Sequence, residues 1–159
     1  MTTSSSAAIL AIAYFGILVG QLAFGYIADI IGRRASFTLF SFVMAAGLLA
    51  ITRFWGETSE SAVFINWAMF VTGFGAGMFG GYGPLFTELF PTAVRNTAMG
   101  GAYNLARGTQ FLTPLLVALI AERYGLSGGI SLASAFAVAT GLFAWSFPRS
   151  SNQMATEVE

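Results

Sequence analysis

Residues 7–28 read AAILAIAYFGILVGQLAFGYIA and contain no charged side chain. A helix rises about 1.5 Å per residue, so about 20 apolar residues cross the roughly 30 Å hydrocarbon core of a bilayer. This run is therefore long enough to span a membrane. It is too long for the apolar part of a secretory signal peptide, and residues 1–6 carry no cation.

Four more apolar runs follow, separated by short connections that contain most of the charges. The predicted spans are residues 35–52, 61–87, 97–121 and 126–147, followed by a tail at 148–159. The connections leave no room for a soluble domain. The sequence therefore predicts an all-α integral membrane protein with five transmembrane helices.

The composition excludes most other classes of protein. Charged residues make up 9% of the chain and hydrophobic residues 56%, whereas a soluble domain carries roughly 25% charged residues. Seven cations, all Arg, balance seven acids, so no basic patch exists for nucleic acid. Because the chain has no Cys and no His, it lacks thiol nucleophiles, imidazole bases and the usual zinc ligands. We expect a lipid bilayer as its surroundings, and no enzyme activity, cofactor or metal.

The arginines predict the orientation, because cytoplasmic loops carry an excess of positive charge. Counted by alternate sides of the five spans, four arginines fall on one face and two on the other: Arg33, Arg34, Arg95 and Arg149 against Arg53 and Arg123. The N-terminus is then expected outside and the C-terminus in the cytoplasm, in the inner or plasma membrane.

Glycine spacing in the third run can be interpreted in two ways. Residues 75–80 spell G-x-G-x-x-G, but a dinucleotide site needs a strand before this pattern and an acid about 20 residues after it. The alternative is helix packing, since small residues four apart let helix backbones approach closely in lipid. Gly73 and Gly77 have this spacing, as do Gly16 and Gly20 in the first run. We prefer the packing interpretation.

The first cytoplasmic loop reads GYIADIIGRR at residues 25–34. Gly25 would allow a close helix contact, Asp29 would lie within reach of the two arginines, and Gly32 would permit a tight turn. A simple positive anchor would need none of these three. The loop resembles the signature G-x-x-x-D-R-x-G-R-R of the major facilitator superfamily, with Ile30 in place of its first arginine.

Residues 82–100, YGPLFTELFPTAVRNTAMG, contain a second motif, E-x-x-P-T-x-x-R. It resembles the loop between the tenth and eleventh helices of metabolite:proton and sugar-type members of that superfamily. Together the two resemblances imply that the chain corresponds to the eighth to twelfth helices of a twelve-helix transporter. It would then be an incomplete C-terminal bundle whose N-terminal partner bundle lies on the same or a separate chain.

The resemblance also implies a cytoplasmic charge network that latches the outward-facing state. The gating residues carried over from the motifs are Gly25, Asp29, Gly32, Arg33, Arg34, Glu88 and Arg95. Charge-assisted hydrogen bonds between a carboxylate and guanidinium groups would suit such a latch.

Arg107 is the main candidate for substrate binding. It lies ten residues after Thr97, about 15 Å into a core of roughly 30 Å, where an arginine costs about 2.5–3.5 kcal/mol on insertion. Helical spacing places Tyr103, Asn104 and Gln110 on the same face. Intramembrane ionisable residues are usually functional. The alternative is a structural role, in which Arg107 caps helix carbonyls or forms an ion pair within the bundle.

Two amides are weaker candidates, Gln21 in the first span and Asn66 in the third, because lone amides more often hold helices together. The resemblance implies transport of a small polar metabolite. The positive midplane charge favours an organic anion, and a sugar is the second choice. Proton coupling is expected, with its carboxylate in the partner bundle, unless the protein is a uniporter. The alternatives are a truncated product without transport activity or a small subunit of a larger membrane complex.

Overall fold

The computed structural model describes residues 3–54 and 62–146, and every long segment in this part of the chain is helical. The elements in chain order are α1 (Thr3–Ile31), α2 (Arg33–Arg53), α3 (Ala62–Ala76), a 3₁₀ segment (Gly77–Gly81), α4 (Tyr82–Leu89), α5 (Thr92–Gln110), α6 (Leu112–Phe143) and a 3₁₀ turn (Ala144–Ser146). The predicted all-α class is confirmed.

Four segments of the described chain are long and apolar enough to cross a membrane: Ser6–Ile31, Arg33–Arg53, Ala62–Phe86 and Ser127–Ser146. The predicted span at 97–121 falls on α5 and the start of α6 and is not among them. Arg107, several glycines and neighbouring polar residues lower its mean hydropathy. The chain is a multi-pass membrane protein in which this segment is the most polar part of the bundle.

Two glycines in the left-handed region reverse or break the helices. Gly32 joins α1 to α2 with φ 84° and ψ 157°, and its carbonyl oxygen accepts bonds from the backbone N–H of Ser36 (3.1 Å) and its hydroxyl (2.9 Å). The predicted turn at Gly32 is confirmed. Gly125, with φ 72°, divides α6 into two helical parts. A residue with a Cβ is strained at both positions.

The small residues of α1 and α3 let these two helices touch main chain to main chain. A β-carbon on Gly16 would lie 2.5 Å from the Phe70 carbonyl oxygen, and one on Gly73 would overlap the Ala13 carbonyl oxygen. This confirms the packing interpretation of the glycine spacing. The other main helix pairs are α2 with α3 and α2 with α6.

An aromatic core joins α1, α2, α3 and α4. Phe24, Phe37 and Phe40 are each at most 2% exposed. The Phe24 ring centroid lies 4.9 Å from that of Phe37 and 5.2 Å from that of Phe40, and Phe40 stacks on Phe74 at 5.2 Å. Tyr82 of α4 stacks on Phe37 at 5.5 Å. Such pairs add about 0.5–1.5 kcal/mol each to area burial, so the Tyr82 ring ties the start of α4 to Phe37 of α2.

Polar side chains tie α2 to its neighbours, whereas α5 is loosely packed. The Thr38 hydroxyl donates to the Gly141 carbonyl oxygen of α6 at 2.9 Å, and the Ser41 hydroxyl donates to the Met78 sulfur at 3.1 Å. The main contacts of α5 are with its chain neighbours α4 and α6. A groove is therefore left between α5 and the body of the bundle.

Candidate functional site

We call the groove beside α5 the main cavity. Its volume is about 800 Å³, within the range of about 300–1,000 Å³ usual for small-molecule sites. Its lining comes from α1, the 3₁₀ segment, α4 and α5. The lining residues are Gln21, Phe79, Tyr82, Gly83, Phe86, Met99, Ala102, Tyr103, Ala106 and Arg107. Aromatic rings and one guanidinium dominate this surface.

One wall of the cavity is a stripe of α5. Its five lining residues lie at positions i, i+3, i+4, i+7 and i+8, which share a helix face. The guanidinium carbon of Arg107 lies 4.7 Å from the centroid of the Tyr103 ring, a cation–π contact between two exposed side chains. This contact places the guanidinium beside the ring at the edge of the cavity.

The opposite wall is formed by Gln21 of α1 together with Phe79, Tyr82 and Phe86. The Tyr82 ring lies between Phe37, at 5.5 Å, and Phe79, at 5.9 Å. Tyr82 is a lining residue that is not among the predicted site residues. Phe79, Tyr82 and Phe86 are spaced i, i+3 and i+7, so an aromatic helix face was the signal that could have found it.

Three of the six predicted substrate residues line this one cavity: Gln21, Tyr103 and Arg107. Asn66 lies elsewhere, in an apolar pocket of about 340 Å³ between α1 and α3, beside Trp67. Asn104 is exposed but does not line the main cavity. The Gln110 side chain lies outside the described part of the structure.

The first signature loop surrounds the turn between α1 and α2. Asp29 is exposed near the end of α1, while Arg33 and Arg34 are partly buried at the start of α2. The Arg34 Nε is buried, and no described residue accepts its hydrogen. A β-carbon on Gly25 would meet nothing within 4 Å, so the close contact expected there is not made within the described chain.

The second motif forms the corner between α4 and α5. The Arg95 Nε donates to the Phe90 carbonyl oxygen at 3.3 Å, and the Arg95 backbone N–H donates to the Pro91 carbonyl oxygen at 3.0 Å. Arg95 thus closes the corner from which α5 starts at Thr92. The Glu88 side chain lies outside the described part of the structure, and the charge network remains a prediction.

The family model of the Major Facilitator Superfamily matches residues 1–158. The chain belongs to this superfamily. Among its curated relatives is a putative metabolite transport protein of Haemophilus influenzae, 30% identical over 122 residues, which cover 77% of this chain and 29% of the relative. The resemblance based on the two loop motifs is confirmed.

Two further relatives of this superfamily member are named for specific compounds. A cis,cis-muconate transport protein of Acinetobacter baylyi is 31% identical over 69% of this chain and 25% of its own length. A probable 4-methylmuconolactone transporter of Cupriavidus pinatubonensis is 33% identical over 78% of this chain and 29% of its own. The chain thus spans less than a third of the length of these relatives. They are transport proteins rather than enzymes, as the sequence predicted. No solved structure matches the chain.

Proposed function

We propose that this chain forms part of a secondary transporter for a small organic anion, with Arg107 binding the carboxylate. The observation that carries the proposal is the position of Arg107 at the main cavity. It is the one charged side chain among the described lining residues, and its neighbours there are mostly apolar and aromatic. In such surroundings a planar guanidinium can hold both oxygens of a carboxylate at once.

The names of two relatives support an anion over a sugar. Muconate is an organic dicarboxylate, and 4-methylmuconolactone carries a carboxyl group beside its lactone ring. The charge of the cavity agrees with this preference, because the Arg107 guanidinium attracts an anion more strongly than a neutral sugar. Gln21, Tyr82, Tyr103 and Arg107 are the polar side chains among its described lining.

Transport by this mechanism requires a second bundle. Superfamily transporters move substrate by rocking two bundles about a central site, and this chain would contribute the cavity beside α5 to that site. The partner bundle would lie on the same or a separate chain and would carry the coupling carboxylate if protons are co-transported. The motif residues Asp29, Arg33, Arg34, Glu88 and Arg95 would then latch the closed cytoplasmic side, with the N-terminus outside and the C-terminus in the cytoplasm.

Binding can be tested separately from transport. The purified chain in lipid nanodiscs should bind radiolabelled trans,trans-muconate in equilibrium dialysis, and excess unlabelled muconate should displace it, whereas glucose should not. Vesicles that contain the chain alone should show no accumulation of muconate, because one bundle cannot alternate access. Binding of glucose without binding of muconate would contradict the organic anion as the substrate class and favour a sugar. Saturable accumulation by the chain alone would contradict the need for a second bundle.

A further inference from the structure

Gln21 presents an amide to the main cavity from the wall opposite α5. It lies ten residues before Ile31 at the end of α1, roughly 15 Å along the helix and hence deep in the membrane. Its side chain is exposed to the cavity, and no described residue hydrogen-bonds its amide. An amide that held two helices together would be bonded to a neighbouring helix. Gln21 is therefore available to a ligand.

The absent side chain of Gly80 makes room for Gln21. A β-carbon on Gly80 would lie 3.2 Å from the Cγ of Gln21, 3.5 Å from its Cβ and 3.6 Å from its Cδ. The first distance is shorter than ordinary carbon–carbon contact, so an added methyl group would push the Gln21 stem aside. The main chains of α1 and the 3₁₀ segment also lie in close contact three residues earlier, where a β-carbon on Gly77 would overlap the Gly20 carbonyl.

We propose that Gly80 is a positioning residue that sets the place of the Gln21 amide, and that this amide binds a second polar group of the substrate. The proposal rests on the proposed function, in which Arg107 holds the first carboxylate. The substrate class is then an organic acid with a hydrogen-bonding group at the end remote from that carboxylate. Gln21 can serve such a group because its amide both donates and accepts.

The proposal predicts discrimination between two matched acids. Sorbate and trans,trans-muconate share a six-carbon chain with a conjugated diene, but sorbate has a methyl group where muconate has its second carboxylate. A site built to hydrogen-bond a polar group rejects the analogue that lacks it. The chain in nanodiscs should bind muconate at least about tenfold more tightly than sorbate. Gln21→Ala should abolish this preference by weakening muconate binding, while sorbate affinity stays unchanged.

A double-mutant cycle tests whether Gly80 acts through Gln21. Gly80→Ala should reduce the preference for muconate in the wild-type background and have no further effect in the Gln21→Ala background. That variant lacks the Cγ and Cδ of Gln21, and its remaining Cβ would lie at an ordinary contact distance of 3.5 Å from the new methyl group. Gly101→Ala is the matched control, since its β-carbon meets nothing within 4 Å and it does not line the cavity. It should leave the preference unchanged.

The outcomes separate this inference from the proposed function. Equal affinity of the wild type for muconate and sorbate would overturn the role of Gln21 while leaving Arg107 as the anion site. An effect of Gly80→Ala that is the same in both backgrounds would overturn the positioning role of Gly80. Failure of the wild type to bind either acid would overturn the proposed function and this inference together. Melting temperatures of all variants show whether each protein assayed is folded.

Discussion

The main chains of Gly20 in α1 and Gly77 in the 3₁₀ segment lie in direct contact. A β-carbon on Gly77 would be 2.6 Å from the Gly20 α-carbon and 2.6 Å from the nitrogen of the next residue, Gln21. No side chain fits between the two helices at this level. The contact fixes α1 at the point where α3 gives way to the 3₁₀ segment, and it sets the position from which Gln21 reaches the cavity.

Gly77→Ala should therefore destabilise the bundle. Overpacking a close contact typically costs about 1–3 kcal/mol, and here both partners are main chain, which cannot move aside as a flexible side chain can. A lower melting temperature of the purified protein in detergent is the expected result. Gly101→Ala in α5 should melt at or slightly above the wild-type temperature, because its β-carbon meets open space and Ala favours a helix. Equal melting of the Gly77→Ala variant and wild type would contradict the contact.

Features that depend on residues close together in the chain can be predicted from the sequence. Four-residue spacing predicted the packing role of Gly16 and Gly73, because a helix places such residues on one face. Gly32 predicts a tight turn because glycine adopts backbone conformations that other residues avoid. The weakness of the fourth span was also visible in sequence, since Arg107 offsets the favourable insertion energy of its apolar neighbours.

The composition of the cavity depended on contacts that sequence does not contain. Tyr82 lines the cavity while its ring stacks on Phe37 of another helix. The aromatic spacing of Phe79, Tyr82 and Phe86 indicates a helix face, but it does not indicate which groove that face lines. Asn104 was grouped with Arg107 by helical spacing. The lining face of α5 instead includes Ala102 and Ala106, so it is rotated slightly from the predicted face.

The hydroxyl of Thr38 should contribute measurably to stability. It lies between the Arg34 carbonyl oxygen of its own helix, at 3.0 Å, and the Gly141 carbonyl oxygen of α6, at 2.9 Å. Thr38→Val keeps the shape but loses the donor, and a membrane hydrogen bond averages about 0.6 kcal/mol. We expect a small decrease in melting temperature and retention of wild-type stability in Thr38→Ser.

Thr140→Val is the control for this substitution. The Thr140 hydroxyl donates only within α6 in the described structure, to the Phe136 carbonyl oxygen at 2.9 Å. Its loss should change the melting temperature less than the loss of the Thr38 hydroxyl. If both variants melt alike, the bond to Gly141 adds nothing to the association of α2 with α6.

The orientation of the chain can be measured with single cysteines, because the native sequence has none. The excess of arginine on one side predicts that an impermeant thiol reagent labels Ser5→Cys in intact cells. The same reagent should label Ser151→Cys only after permeabilisation. The cysteine-free parent measures background labelling. The reverse pattern would overturn the predicted orientation and the assignment of the two signature loops to the cytoplasm.

Replacing Arg107 distinguishes a binding role from a structural one. Arg107→Lys keeps the charge but loses the planar fork, and we expect muconate affinity to fall at least about tenfold, or 1.4 kcal/mol. Arg107→Ala should abolish binding yet ease membrane insertion of α5, since a central arginine costs about 2.5–3.5 kcal/mol. Arg123→Lys, at an exposed position of α6 outside the cavity, is the charge control and should bind normally. Dialysis and melting temperature are measured on the same preparations. If Arg107 is purely structural, the Ala variant should instead have a lower folded yield and a lower melting temperature. Normal muconate affinity in folded Arg107→Ala protein would show that Arg107 is not part of the binding site. It would also remove the main reason to prefer an anion over a sugar.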